Sequence, residues 1–329
     1  MIISIVSYSL EGEHRQEVKP LPEKAIVTKP EPARWASLLA LLALALIWGY
    51  NWVQMKIAVQ YAPPFQFAAL RITLGALSLL LALAWLRKPL LPKEMTATFW
   101  AGVLQIAGVY GFATWALVSG SAGRTSVLVY MMPLWTLLLA WVFLHERVRG
   151  LQWAAIALSV TGLLLILDLQ HLHGTIASKV LALLAGVCWA GGAVIAKQVR
   201  QTVKLDLLSF TTWQMIAGAV PLMLAASLAA WVTPSAPIVW SGPFIFALVY
   251  NVIPGTAIAT LLWLYVLNRM SAGTAGLGIL LNPIVGVLAA WIQLGEQPKL
   301  IEAAGMALIA IALALNAIQS MKPSPERAS

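Results

Sequence analysis

Ten apolar runs, each close to twenty residues long, follow one another along this chain with only short polar breaks between them. They cover roughly 35–56, 65–86, 97–117, 124–144, 150–168, 177–197, 207–231, 242–267, 272–294 and 300–319. About 20 such residues are what an α-helix needs to cross the hydrocarbon core of a bilayer. Within that core every backbone N–H and C=O must be satisfied by the protein itself, which leaves helices and closed barrels as the spanning structures. Barrel strands read as alternating segments of about ten residues, and these continuous runs do not alternate. The sequence therefore predicts an all-α integral membrane protein with ten transmembrane helices. Turn formers punctuate the breaks, as in Ala62-Pro63-Pro64, Arg87-Lys88-Pro89, Ser119-Gly120-Ser121 and Thr233-Pro234-Ser235. The connections are too short to hold an extramembrane domain.

Composition points the same way. The chain of 329 residues is 60% apolar and 10% charged, against about 45–50% and about a quarter in soluble domains. A soluble enzyme of this make-up would expose more apolar surface than water tolerates. Cys188 is the only cysteine, which excludes an internal disulfide or a cysteine metal cluster. The four histidines lie outside the runs or at their ends, so neither a metal nor a cofactor is expected. No polar catalytic cluster stands out, and an enzyme is not the expectation. Residues 1–33 and 321–329 read as polar, disordered tails, and the opening MIISIVSYSL lacks the basic start and cleavage site of a signal peptide.

Orientation follows from lysine and arginine in the breaks, which concentrate on the cytoplasmic side. With the N-terminus inside, sixteen of the 21 basic residues fall on inner segments and four (Lys56, Arg124, Lys179 and Lys299) on outer ones, while Arg71 lies within a run. Both termini are thus expected in the cytoplasm. The net charge of +9 is scattered along one membrane face, so nucleic acid is not an expected partner. The expected partners are a small-molecule substrate and membrane lipid, with a monomer or homodimer both open.

The chain also repeats itself. Trp48 and Lys56 recur as Trp189 and Lys197 at an offset of 141. Phe67, Gly75 and Ala76 recur as Phe210, Gly218 and Ala219 at 143, and Trp115 matches Trp263 at 148. Gly123, Pro133, Trp141 and Glu146 recur as Gly273, Pro283, Trp291 and Glu296 at 150. Shared composition explains matches of leucine and alanine, but not a Gly–Pro–Trp–Glu ladder of identical spacing. Units of five spans (34–168 and 177–320) have an odd number of crossings, so the second is expected to lie inverted relative to the first. Inverted repeats are a recurring construction of secondary transporters.

These residues resemble the EamA branch of the drug/metabolite transporter superfamily. The resemblance rests on Ile47-Trp48-Gly49-Tyr50-Asn51-Trp52 with Lys56, on Ala69-Leu70-Arg71, and on the repeated proline followed by Phe143-Leu144-His145-Glu146 and Leu294-Gly295-Glu296. It implies ten helices around a central cavity and efflux or exchange of small metabolites, often amino acids or their derivatives. The small multidrug exporters of the superfamily carry a glutamate in their first helix, and the first run here has none.

Arg71 lies seven residues into the second run, roughly 10 Å deep at 1.5 Å per residue. Two roles are open to it: a guanidinium fork for a substrate carboxylate or phosphate, or an anchor that snorkels to the headgroups or is held in a salt bridge. Its repeat mate is Gln214. Asn51 among Trp48, Tyr50 and Trp52, together with Tyr110, Tyr130, Tyr250 and Asn251, are further candidates for a cavity that is mostly apolar with few polar groups. Trp and Tyr near helix ends also form interfacial belts. Pro133 and Pro283, and Pro254-Gly255 in the eighth run, are candidate hinges, because proline removes a helix hydrogen bond. Glu146 beside Arg147 and Glu296 near Lys299 read as end-of-helix acids in terminal salt bridges. The expected function is export of small metabolites from the cell's inner membrane by alternating access, and without Asp, Glu or His in mid-span to carry a proton, facilitated efflux or exchange is the expected coupling. Import, exchange, multidrug efflux, a channel and a lipid-linked flippase stand as alternatives.

Overall fold

The computed structural model describes residues 31–90, 93–144, 148, 150–167, 176–232, 236–270 and 278–321, and every regular element among them is helical. The helices are α1 (Glu31–Ala58), α2 (Pro64–Trp85), α3 (Met95–Ser119) and α4 (Ala122–Leu144), α5 (Leu151–Leu167) and α6 (Ile176–Thr202). They continue as α7 (Leu207–Val232), α8 (Gly242–Arg269), α9 (Leu281–Leu294) and α10 (Leu300–Met321). Eight of these are long and apolar enough to cross a membrane, while α5 and α9 are shorter apolar helices. Of the run expected at 272–294, residues 272–277 lie outside the described residues.

Local chemistry sets the helix ends. Pro64 opens α2 at a position where its missing N–H costs nothing. Ser121 and Ser241 cap α4 and α8 by accepting the N–H groups of Arg124 and Phe244, and Asp206 does the same for Ser209 at the start of α7. Gly295 ends α9 with φ of 68°, a left-handed conformation that favours glycine. The apolar faces point outward as well as inward. Leu81, Leu224, Ile292 and Leu300 are exposed, and Trp85 and Trp231 are 84% and 81% exposed, an exterior suited to lipid rather than water.

Three helices depart from regular geometry, and the departures recur. Val103–Gly108 in α3 and Ile253–Ile258 in α8 are π-helical turns, 150 residues apart at both ends. Pro254 therefore does not break the eighth helix as a break-forming proline would. Its missing N–H is absorbed by a wider turn, and the helix continues. On this register Trp115 corresponds to Tyr265 rather than to Trp263, because backbone geometry and not residue likeness fixes the equivalence. In α4 the helix is interrupted at Tyr130 and Met131, where Pro133 cannot donate to Val129, and the turn at Leu280 before Pro283 falls 150 residues later.

Packing has the same regularity. Helix α1 packs on α8 and α9, α6 packs on α3 and α4, α2 packs on α7, and α5 packs on α10. This pattern is unchanged when each helix is exchanged for the one five places away. The α5–α10 contact shows it at atomic scale. A Cβ on Gly162 would meet the Gly305 carbonyl oxygen at 2.6 Å, and a Cβ on Gly305 would meet that of Gly162 at 2.6 Å. Ile309 and Ile166 flank the two sites in the same way.

Candidate functional site

Arg71 is the largest fully buried side chain among the described residues, with 0% exposure, and it lies inside the helix bundle rather than on its exterior. Its Cζ sits 4.3 Å from the centroid of the Tyr110 ring in α3, within reach of a cation–π attraction. None of its three guanidinium nitrogens has a hydrogen-bond partner among the described residues. Burying an ionised group without partners is among the costlier arrangements available to a protein. No salt bridge holds Arg71 among the described residues, and burial of the whole side chain is not the geometry of snorkelling.

Tyr110 lies within electrostatic reach of Tyr130 at the interruption of α4. The Tyr130 hydroxyl accepts a hydrogen bond of 2.9 Å from Asn282 Nδ2, and its ring meets Trp52 edge-on at 6.2 Å. Asn282 is fully buried, and its Oδ1 has no donor. A second group gathers where α1 meets α8. Trp48 Nε1 donates to the Gly255 carbonyl at 3.1 Å, an acceptor made available by the π-turn. Asn51 Nδ2 reaches Met55 Sδ at 3.4 Å while its Oδ1 finds no donor. Tyr50 and Tyr250 pack edge to face at 5.2 Å and point their hydroxyls to Gln293 Oε1 and the Ile47 carbonyl. Asn251 is fully buried. It bonds the Ala247 carbonyl through Nδ2 and leaves Oδ1 unmatched.

Gln214 behaves unlike its mate Arg71. Its Nε2 donates to Gln105 Oε1 at 2.9 Å, and Gln105 in turn donates to the Trp189 carbonyl at 3.3 Å. Asn282 and Gln105 were not among the candidates read from the sequence. The signal for Asn282 was present in the form of a mid-span amide directly before the repeated Pro283. Gln105 offered none, since its π-turn is a product of packing.

A polar cluster lies apart from these groups, where α1 ends and α4 begins. Lys56 Nζ donates to the carbonyls of Leu117 at 2.7 Å and Gly120 at 2.9 Å, closing the end of α3. Glu296 is within electrostatic reach of Lys56 and accepts the Gly123 N–H at 3.3 Å. Arg124 pairs with Glu302 at 2.5 Å. The sequence reading paired Glu296 with Lys299, and the structure corrects that partner. Left-handed Gly295 turns Glu296 back toward the first turn of α4, whose free N–H groups and positive dipole end attract a carboxylate. The cluster borders a cavity of about 290 Å³. Glu146 and Arg147, with His145, His171 and His173, lie outside the described residues.

The fold and these groups define a class: a multi-spanning helical membrane protein whose interior holds charged and amide side chains far from its ends. The family follows from sequence. Residues 35–168 and 177–318 match the EamA-like transporter family, and the chain belongs to it. It is 28% identical over 284 residues to the uncharacterised transporter YoaV of Bacillus subtilis, across 85% of this chain and 96% of that one. It is 28% identical over 291 residues to a probable amino-acid metabolite efflux pump of Salmonella typhimurium, across 86% and 95%. It is also 29% identical over 279 residues to the inner membrane transporter YedA of Escherichia coli, across 84% and 89%. A crystal structure of another protein superposes with a TM-score of 0.60 at 20% identity, over 88% of this chain and 99% of that one, and shares the fold. These relatives are named as transporters, which fits a protein that is not an enzyme.

Proposed function

We propose that this protein is an inner-membrane secondary carrier that exports small metabolites, of the class of amino acids or their derivatives, by alternating access. In this reading, residues 34–168 and 177–320 form two five-helix units, inverted relative to one another, with ten spans and both termini in the cytoplasm. The observation that carries it is the exchange pattern of the packing, in which α1 takes the place of α6 and α3 and α4 take the places of α8 and α9. Two units of one shape facing opposite ways can rock between two equivalent arrangements, which is how inverted repeats give alternating access. Pro133, Pro283 and the Pro254-Gly255 turn are the places where the helices would bend, since each already lacks a regular backbone hydrogen bond. The substrate class is supported by the buried, unpartnered Arg71 and by the efflux pumps among the relatives.

The test is efflux and resistance profiling of overexpressing cells against amino acids, their analogues and toxic cations. Export of carboxylate-bearing solutes is the expected result, and a profile identical to that of control cells overturns the reading. The orientation is tested separately by fusing a reporter after residue 320. Activity restricted to the periplasm would overturn the cytoplasmic placement of that end.

A further inference from the structure

Elements that follow one another along a chain usually lie side by side, yet α9 and α10 are not among the helices that pack closely on each other. A groove of about 330 Å³ lies between them, and all of its lining is apolar. Ala303, Ala307 and Ala310 of α10 recur in it at i, i+4 and i+7, so one face of that helix presents a floor of small side chains. Ile284 and Leu288 of α9 line it one turn apart and are themselves exposed, so the groove opens to the surroundings of the bundle. From Ala303 to Leu313 it follows α10 for ten residues, about 15 Å at 1.5 Å per residue. That is half of a hydrocarbon core about 30 Å thick, the depth of one leaflet.

At the helix-end side the groove adjoins the polar cavity of about 290 Å³, since Val287, Pro298 and Met306 line both. An opening that is apolar for the depth of one leaflet and polar at the helix ends divides as a phospholipid does. The polar cavity narrows the headgroup, because Arg124, Glu296 and Glu302 all line it. The bond to Glu302 uses one of the five N–H groups of the Arg124 guanidinium. The guanidinium makes no second hydrogen bond among the described residues, and its remaining N–H groups suit phosphate oxygens. Glu296 accepts the Gly123 N–H through Oε2, while its Oε1 accepts nothing among the described residues. A phosphate alone answers Arg124 and not Glu296. A quaternary ammonium brings charge to Glu296 but no N–H to donate. A phosphate followed by a primary ammonium answers both.

We propose that the groove between α9 and α10 holds one acyl chain of a phosphatidylethanolamine, its phosphate on Arg124 and its ammonium on Glu296 Oε1. The site is separate from the groups around Arg71 and does not rest on the carrier reading. The bound lipid fills the gap that the two helices leave between them and ties both to the first turn of α4. Because it binds the folded chain, it stabilises that state by mass action.

The test uses the purified, delipidated full chain in detergent. The probes are the dioleoyl forms of phosphatidylethanolamine, phosphatidylcholine and phosphatidylglycerol, read by Tm and by lipid retention in native mass spectrometry. Phosphatidylethanolamine should raise Tm and bind about 10-fold more tightly than the other two, as expected for one added hydrogen bond to a charged group. Glu296→Gln keeps an acceptor for the Gly123 N–H, and should remove the preference by weakening phosphatidylethanolamine alone. Ala307→Phe fills the groove from an exposed position, and should leave the lipid-free Tm unchanged while abolishing the rise in Tm. Leu224→Phe, on the exposed face of α7, should change neither. Equal binding of the three lipids overturns the proposal, and this comparison needs no variant. So does a preference that survives Glu296→Gln, or a rise in Tm that survives Ala307→Phe. A dimer that Ala307→Phe converts to monomer with lipid retention unchanged overturns it as well, in favour of a second copy of the chain seated in the groove.

Discussion

At the ends of α1, α4, α9 and α10, charge is paired at every step: Lys56 with two helix-end carbonyls, Glu296 with a helix-start N–H, and Arg124 with Glu302. In the middle of the bundle, Arg71 is more deeply buried and has only the face of Tyr110. A protein selected for stability alone would do the reverse, because the desolvation cost of a charge grows with burial. The paired cluster holds helix ends together across the two halves. The unpaired arginine keeps its hydrogen bonds unmade among the described residues.

The largest test of this contrast is Arg71→Ala, which should reduce export of carboxylate-bearing substrates about 10–100-fold while leaving the amount of protein in the membrane unchanged. Arg71→Met should not lower Tm, since replacing a buried charge by an apolar side chain is often neutral or stabilising. A sharp fall in Tm would show that Arg71 holds the fold. Arg71→Lys should restore only part of the transport, because a point charge lacks the bidentate fork, and full activity would remove the fork from the argument. For the helix-end cluster the expectation is inverted. Arg124→Ala should cost about 1–2 kcal/mol of stability, between the values for exposed and buried pairs, and adding Glu302→Ala should recover part of it in thermal unfolding. Lys299→Ala should change stability by less than about 0.5 kcal/mol, since the structure gives the carboxylate of Glu296 a backbone partner instead. A larger loss would restore the Lys299 pairing.

The helices themselves were legible because each must fill a bilayer with apolar residues, and that demand is local. The run at 207–231 and the helix Leu207–Val232 differ by one residue. The π-turn at Val103–Gly108 was not legible, because it holds no proline and the single glycine Gly108 is tolerated inside a helix, whereas its counterpart carried Pro254-Gly255, legible as an irregularity but not as a wider turn. Arg71, Tyr110 and Tyr130 could be singled out as polar groups in apolar runs, yet their order in space could not. It depends on contacts between helices far apart in sequence, 152 residues for Tyr130 and Asn282. The partner of Glu296 was missed for the same reason: Lys299 is near in sequence, whereas Gly123 is near only in the fold.

Gly162 and Gly305 bring the backbones of α5 and α10 together through two contacts that are copies of each other. A contact of this kind lies on the axis that would exchange the two halves, and the exchange returns it to itself. In the proposed carrier it is a fulcrum, whose free energy is common to both facings and cancels from the balance between them. Alanine at either glycine would crowd this point, at about 1–3 kcal/mol for overpacking, and that cost would appear as less folded protein rather than as a change in which way the surviving molecules face.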